Sequence, residues 1–240
     1  MQAIVMNEFG GPEVLVSGEV PDPQVQDGWS VVRVAASALN WHDTLTRQGL
    51  YGSPLPAVIG VDGTGTVMGT GEEVVILPSL FWGPRETAAS ADFEILGDHR
   101  DGTYAELVAV PDECVFPRPT GIGLHEAAAL PLVGVTAFRA LFTRGRLTAG
   151  ESLLVLGASG GVAAMAVSLA SAVGASATVT STSSTKIDRA RELGALAGID
   201  HSASDWVAQA RALIPGGCLY GFRQAAKRWL APPRGFSGSW

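Results

Sequence analysis

The chain has only two cysteines and two lysines among its 240 residues. Cys114 and Cys218 lie far apart with no Cys-x-x-Cys pair, which excludes a cysteine-rich zinc site and a disulfide framework and suits a reducing compartment. Charge is also scarce. Charged residues make up 16% of the chain and the formal net charge is -7, a poor match for nucleic acid or an anionic membrane surface. Long hydrophobic runs are missing too. The longest apolar stretch, 162–175, is too short and too rich in Ala, Gly and Ser to cross a bilayer. The opening Met1-Gln2-Ala3-Ile4-Val5-Met6 carries no basic segment of the kind that begins a secretory signal. These absences predict a cytoplasmic protein with neither a nucleic-acid nor a membrane partner.

Hydrophobic residues account for 47% of the chain, enough for a well-buried core in one large domain or two modest ones. The first part is strand-like and broken by turns. Short β-branched runs at 3–6, 14–16, 30–34 and 74–77 predict strands, as do 104–110 and 113–116. Gly10-Gly11-Pro12, Pro21-Asp22-Pro23 and Asp27-Gly28 supply the turns between them. Residues 40–47 form the best short helix here. After Gly121 the character changes: helical spacing at 124–129 and 136–143 is expected to be split by Pro131 and Gly134. Strands and helices then alternate, with strands at 152–156, 177–180 and 197–199 and helices at 161–173, 184–193 and 204–213. This order predicts an α/β fold whose second part is a parallel sheet covered on both faces. The expected boundaries are a β-rich domain over 1–120, an incomplete Rossmann-type domain over 121–217 and an irregular tail over 218–240. The tail has no Asp or Glu, carries Arg223, Lys227, Arg228 and Arg234, and shows no fourth apolar strand.

Most of the functional information sits in Leu153-Leu154-Val155-Leu156-Gly157-Ala158-Ser159-Gly160-Gly161-Val162-Ala163. A strand ending in a glycine-rich turn that opens a helix presents backbone N–H groups, and the positive end of the helix dipole, to an anion. Gly160 would let the backbone approach a pyrophosphate, while Ala163 allows close packing of helix on strand. A glycine pattern alone is weak, since any tight turn can use it. Here it follows an apolar strand and precedes a second strand at the distance expected of a dinucleotide fold. Ala158, Ser159, Gly160, Gly161 and Val162 are therefore candidate cofactor contacts.

The end of that second strand selects the cofactor. An NAD site places an acid there for the ribose 2′-hydroxyl. This chain has Thr180-Ser181-Thr182-Ser183-Ser184-Thr185-Lys186. Hydroxyls and a cation can hold a 2′-phosphate that an acid would repel, so NADP(H) is favoured, with Ser181, Thr182, Ser183 and Lys186 as its contacts. A helix cap and a solvated lysine are the competing reading of the same residues.

With these residues in view, the chain resembles the medium-chain dehydrogenase/reductase superfamily, nearest the zinc-independent quinone oxidoreductase-like branch. The resemblance rests on Gly10-Gly11-Pro12-Glu13-Val14-Leu15, on Ala38-Leu39-Asn40 with Asp43, and on Arg47-Gln48-Gly49-Leu50-Tyr51. It continues through Glu126-Ala127-Ala128-Ala129-Leu130-Pro131, Thr136-Ala137 and Arg191-Glu192-Leu193-Gly194-Ala195. It implies a GroES-like catalytic domain followed by a Rossmann domain. It also implies Asn40 and Tyr51 as catalytic residues lining the substrate cleft, and Thr136 as a cofactor contact. The positions that hold catalytic zinc in other members fall on Asn40, Val61 and Val133, which cannot ligate it, so no metal is expected. His42, His99, His125 and His201 show no metal-ligand spacing with one another.

The expected activity is NADPH-dependent transfer of a hydride to a quinone, an enone or a small carbonyl. An alcohol dehydrogenase-like enzyme and a catalytically dead nucleotide- or partner-binding module stand as alternatives. The short stretch between Gly65 and Val74 reads as the loss of part of the first sheet, and the end of the pattern near Gly217 as a truncated product, whose activity is then in doubt. A half-built sheet would expose an edge, leaving self-association into a homo-oligomer open.

Overall fold

In the first part of the chain, alternation of β-branched and small residues produces two antiparallel sheets. β1 (Gln2–Met6) buries Ala3 and Met6 and leaves Gln2 and Ile4 exposed, and β2 (Leu15–Glu19) pairs with it antiparallel. β3 (Trp29–Ala38) is the longest strand and leads into α1 (Trp41–Arg47). β4 (Ala57–Val58) closes the other side of β1. β5 (Asp62–Val67) and β6 (Glu73–Ile76) follow as a hairpin. A small ribbon is made by β7 (Ser79–Leu80) and β8 (Glu94–Ile95), after which come β9 (Leu107–Pro111) and β10 (Val115–Pro117). The larger sheet runs β10-β6-β5-β3-β9. Val32, Val74, Ile76, Val108 and Val110 point from it into a core shared with Leu80, Leu96 and Cys114. Burying each such aliphatic side chain contributes about 1.5–3 kcal/mol before chain entropy is charged against it. The structure is a computed structural model and describes residues 1–214 together with the backbone of 221–223; the rest of the expected basic tail lies outside the described residues.

β5 has no counterpart in the sequence expectations. Its run Asp62-Gly63-Thr64-Gly65-Thr66-Val67 looks like a turn, yet it sits between β3 and β6. Gly65 explains why: a Cβ there would lie 2.0 Å from the Arg33 carbonyl oxygen, so only glycine admits the neighbouring strand. The stretch from Gly65 to Val74, read from sequence as a deletion, closes this hairpin, with Val67 N donating to Glu72 O at 2.9 Å.

The chain forms two compact units, Met1–Val133 and Gly134–Trp240. α2 (Leu124–Ala128) packs on β3 and β5 in the first. α3 (Pro131–Phe138) is separate from α2, as the expected break requires, but starts earlier than position 136. Pro131 is its first residue, where a missing N–H costs nothing, and Gly134 lies inside it. The second unit is built on β11 (Ser152–Leu156), α4 (Gly161–Ala172), β12 (Ser176–Thr180), α5 (Ser184–Glu192), β13 (Ala197–Ile199) and α6 (Trp206–Leu213). Its strands are parallel in the order β13-β12-β11-β14, where β14 is Gly221–Arg223. The sequence shows no such fourth strand, because three residues are too few to display a period. Leu153, Leu154 and Val155 are buried, and so are Ala177 and Val179, as a sheet covered on both faces requires. α4 buries Val162, Ala163, Ala166, Val167 and Ala170 against β11 and β12, small residues that permit close approach. No helix among the described residues is long and apolar enough to cross a membrane.

Candidate functional site

In the first unit a polar cluster forms where β3 gives way to α1 and β5 begins. Asn40 is the N-cap of α1, and its backbone N–H donates to Asp43 Oδ2 at 2.7 Å, which satisfies a donor the helix start would otherwise leave open. Asp43 is 2% exposed and accepts two further bonds, from Val61 N at 3.1 Å and from Tyr104 Oη at 3.2 Å. Asp62, the first residue of β5, is fully buried. Its Oδ2 accepts from Asn40 Nδ2 at 2.9 Å and its Oδ1 from Leu132 N at 2.8 Å. Burial pushes the Asp62 carboxyl up to about 7. The bonds from Asn40 and Leu132 oppose that rise, and the neighbouring Asp43 charge adds to it. Burial likewise raises Asp43, against the hydrogen bonds it receives, and it carries Tyr104 well above the usual phenol range.

Tyr51 lies on the turn beyond α1, stacked on the His42 ring with centroids 4.4 Å apart and planes 15° apart. His42 Nε2 sits 2.9 Å from Asp98 Oδ1, which also accepts from Thr46 Oγ1 at 2.8 Å. Tyr51 remains 41% exposed, while partial burial and the Asp98 charge raise its hydroxyl pKa. Asn40 differs from Tyr51: its amide donates to Asp62 and, more weakly, to Ala38 O at 3.4 Å. Neither Asp62 nor Tyr104 is marked by the sequence as part of this cluster. Their only local sign is an acid and a tyrosine set in glycine-rich surroundings.

In the second unit the strand-turn-helix forms one wall of a cleft of about 290 Å³. β11 is followed directly by Gly157, whose φ of +119° lies where L side chains are rarely found. Gly160 is the N-cap of α4, so the first N–H groups of the helix have no partner within it. Thr180 at the end of β12 ties the turn down, its Oγ1 accepting from Gly157 N at 3.2 Å. Of the residues singled out by sequence, Ala158, Ser159, Gly160, Ser181, Thr182 and Lys186 line this cleft together. Gly161 and Val162 begin α4 behind it, and Val162 turns into the core. Ser183 caps α5, its side chain accepting from Lys186 N, so the capping role weighed from sequence is present alongside the cleft. Thr136 is on α3 and outside the cleft lining. His201 joins the lining without having been singled out. Among the described residues the lining contains no acid, and no group of three or more His, Cys, Asp or Glu could hold a metal ion.

Residues 26–120 match the alcohol dehydrogenase GroES-like domain. The NADPH-dependent alkenal/one oxidoreductase of Arabidopsis thaliana is 34% identical over 207 residues, covering 84% of this chain and 53% of that protein. The 2-methylene-furan-3-one reductase of Solanum lycopersicum is 33% identical over 211 residues, covering 86% of this chain and 53% of the relative. A solved NAD-dependent alcohol dehydrogenase superposes with a TM-score of 0.84 at 36% identity, covering 90% of this chain and 68% of its own. The chain spans about half the length of the curated relatives it matches. A GroES-like first unit, a parallel sheet with a glycine-rich turn and this set of relatives converge on one assignment: the chain belongs to the medium-chain dehydrogenase/reductase superfamily.

Proposed function

We propose that the second unit binds NADP(H), and that the chain is part of an oxidoreductase delivering a hydride to an enone, a quinone or a small carbonyl without zinc. The observation carrying this reading is the acid-free cleft at the end of β12, with hydroxyls and Lys186 on one side and the glycine turn on the other. The N–H groups at the start of α4 suit a pyrophosphate, and Ser181, Thr182 and Lys186 suit a 2′-phosphate. Bound NADPH would supply the hydride. The chain's own part is to orient the acceptor and to meet the negative charge that grows on its carbonyl oxygen. Tyr51 Oη is the better donor for that oxygen, because the Asn40 amide already serves Asp62. Asn40 then acts through the cluster it joins, fixing the start of α1 beside Tyr51. The donor set does not fit zinc: an amide committed to a carboxylate and two valines stand at the positions the family uses for ligands. The two plant relatives are named an NADPH-dependent alkenal/one oxidoreductase and a 2-methylene-furan-3-one reductase, which favours an enone over an alcohol as the substrate class.

Thermal unfolding with saturating NADPH or NADH tests the cofactor assignment. A ligand present at a hundred times its dissociation constant adds about 2.7 kcal/mol to the native state. NADPH is expected to raise the midpoint more than NADH, and Lys186→Ala to remove most of that difference. Equal shifts with both cofactors would overturn the assignment of the 2′-phosphate site. NADPH oxidation in the presence of a simple enone then tests turnover, and cofactor binding without turnover would favour a binding module instead.

A further inference from the structure

We infer that His42 is a positioning residue for Tyr51: anchored on Asp98, its imidazole holds the Tyr51 ring where the hydroxyl can meet an acceptor carbonyl; this rests on the donor role proposed above for Tyr51. The backbone does little to fix that ring. Tyr51 stands between Gly49 at φ +80° and Gly52 at φ +69°, on a turn that leaves it 41% exposed. Among the described residues its hydroxyl takes no hydrogen bond, so it is open to a substrate and the ring has no tether at that end. What meets the ring is the imidazole of His42, with centroids 4.4 Å apart and planes 15° apart. A near-parallel pair of this kind limits how far either ring can tilt.

The imidazole is in turn fixed at its far edge. Nε2 lies 2.9 Å from Asp98 Oδ1 and 3.0 Å from Oδ2, and an ionised carboxylate only accepts, so Nε2 carries the proton of this contact. Asp98 is buried, which keeps water from competing for the bond, and Thr46 Oγ1 donates to its Oδ1 at 2.8 Å. The turn that carries Asp98 is itself tight. Asp98 N donates to Ile95 O at 3.1 Å, and a Cβ on Gly97 would lie 2.9 Å from Gly60 N. Support therefore runs from this turn through Asp98 and His42 to the exposed tyrosine. Burial raises the Tyr51 hydroxyl pKa and the Asp98 charge adds to the rise, which keeps the hydroxyl in the protonated form a donor needs. His42 performs this task without touching the acceptor and without changing its own charge.

The test is a double-mutant cycle on the full chain with saturating NADPH and cyclohexenone, using His42→Ala, Tyr51→Phe and the two combined. Tyr51→Phe removes the donor and should lower kcat by about a hundredfold. His42→Ala should lower kcat by about tenfold through misplacement of that donor, with KM for NADPH unchanged. The combined variant should lose no more than Tyr51→Phe alone, since nothing is left to position. His42→Phe fills the same space and lacks only the Asp98 anchor; a loss of about threefold is expected, and again none in the Tyr51→Phe background. Tyrosine ring-carbon resonances of the cofactor-free chain give a second readout. His42→Ala should move the Tyr51 signal and leave that of Tyr104 in place. Losses that multiply in the combined variant, or a Tyr51 signal indifferent to His42→Ala, overturn the role of His42 alone. A wild type that binds NADPH but leaves cyclohexenone unreduced, or a Tyr51→Phe variant as active as wild type, overturns the donor reading and this inference with it.

Discussion

The two units treat polar side chains in opposite ways. In the first, two carboxylates are buried and hydrogen-bonded: Asp43 accepts three bonds and Asp62 two, all from groups of the same unit. In the second, Thr182 and Lys186 are exposed in the lining of a cleft, while Ser181 beside them is buried and its Oγ accepts from Ser183 N at 3.1 Å. A buried group whose oxygens already serve protein donors is shielded from a ligand, so its work is to position the backbone around it. An exposed group with free valences gives little stability and is available for recognition. The Asp43–Asp62 cluster is accordingly architectural, whereas the exposed Thr182 and Lys186 of the second unit, like the half-exposed Tyr51 of the first, are the groups left open to a ligand.

The largest expected effect tests the architectural half. Asp43→Ala leaves Asn40 N, Val61 N and Tyr104 Oη without their acceptor in a buried setting, and should destabilise the first unit by about 3 kcal/mol or more. A chemical-denaturation midpoint that barely moves would mean water takes the place of the carboxylate, and the cluster would then belong with the cleft as an open site. Asp62 gives a subtler reading through pH. Its folded value, about 7, lies above the ordinary 3.8, so the native state binds the proton more tightly than the unfolded chain. Stability from this group is complete below about pH 4 and is lost as pH rises through 7, a swing of a few kcal/mol. Asp62→Asn keeps an acceptor for Leu132 N and removes the charge. Its unfolding free energy should therefore fall less than that of wild type between pH 5 and pH 8. Parallel pH profiles would show that the buried charge is compensated by something other than the bonds described.

The same division explains what could be read in the sequence. The β11-turn-α4-β12 stretch was legible because its signals are local: an apolar run, glycines at a turn, and a hydroxyl-rich loop with Lys186. The helix over 40–47 was legible through its cap. What escaped depends on contacts distant in sequence. Asp62 meets Asn40 across 22 residues and Leu132 across 70. β5 was hidden by the glycines that let β3 approach it, and β14 by its brevity. His201 reads as a lone histidine until the pairing of β13 with β12 carries it to the cleft. Pro131 was taken for a breaker, although the first position of a helix is one place proline fits.

The smallest effect is the sharpest test of the division, because Thr180 belongs to both sides of it. The residue is 2% exposed, as an architectural group should be, yet it also lines the cleft. Its Oγ1 accepts from Gly157 N at 3.2 Å and so ties the glycine turn to β12. Thr180→Val keeps the shape of the side chain and removes the acceptor, a loss of about 1 kcal/mol. If Thr180 works as architecture, the turn loosens and the affinities for NADP⁺ and NAD⁺ fall together, each by up to about fivefold, with their ratio unchanged. Lys186→Ala, by contrast, should move the ratio. A Thr180→Val variant that loses NADP⁺ affinity selectively would place this hydroxyl at the 2′-phosphate, and burial would then no longer separate the groups that build this fold from those that read its ligand.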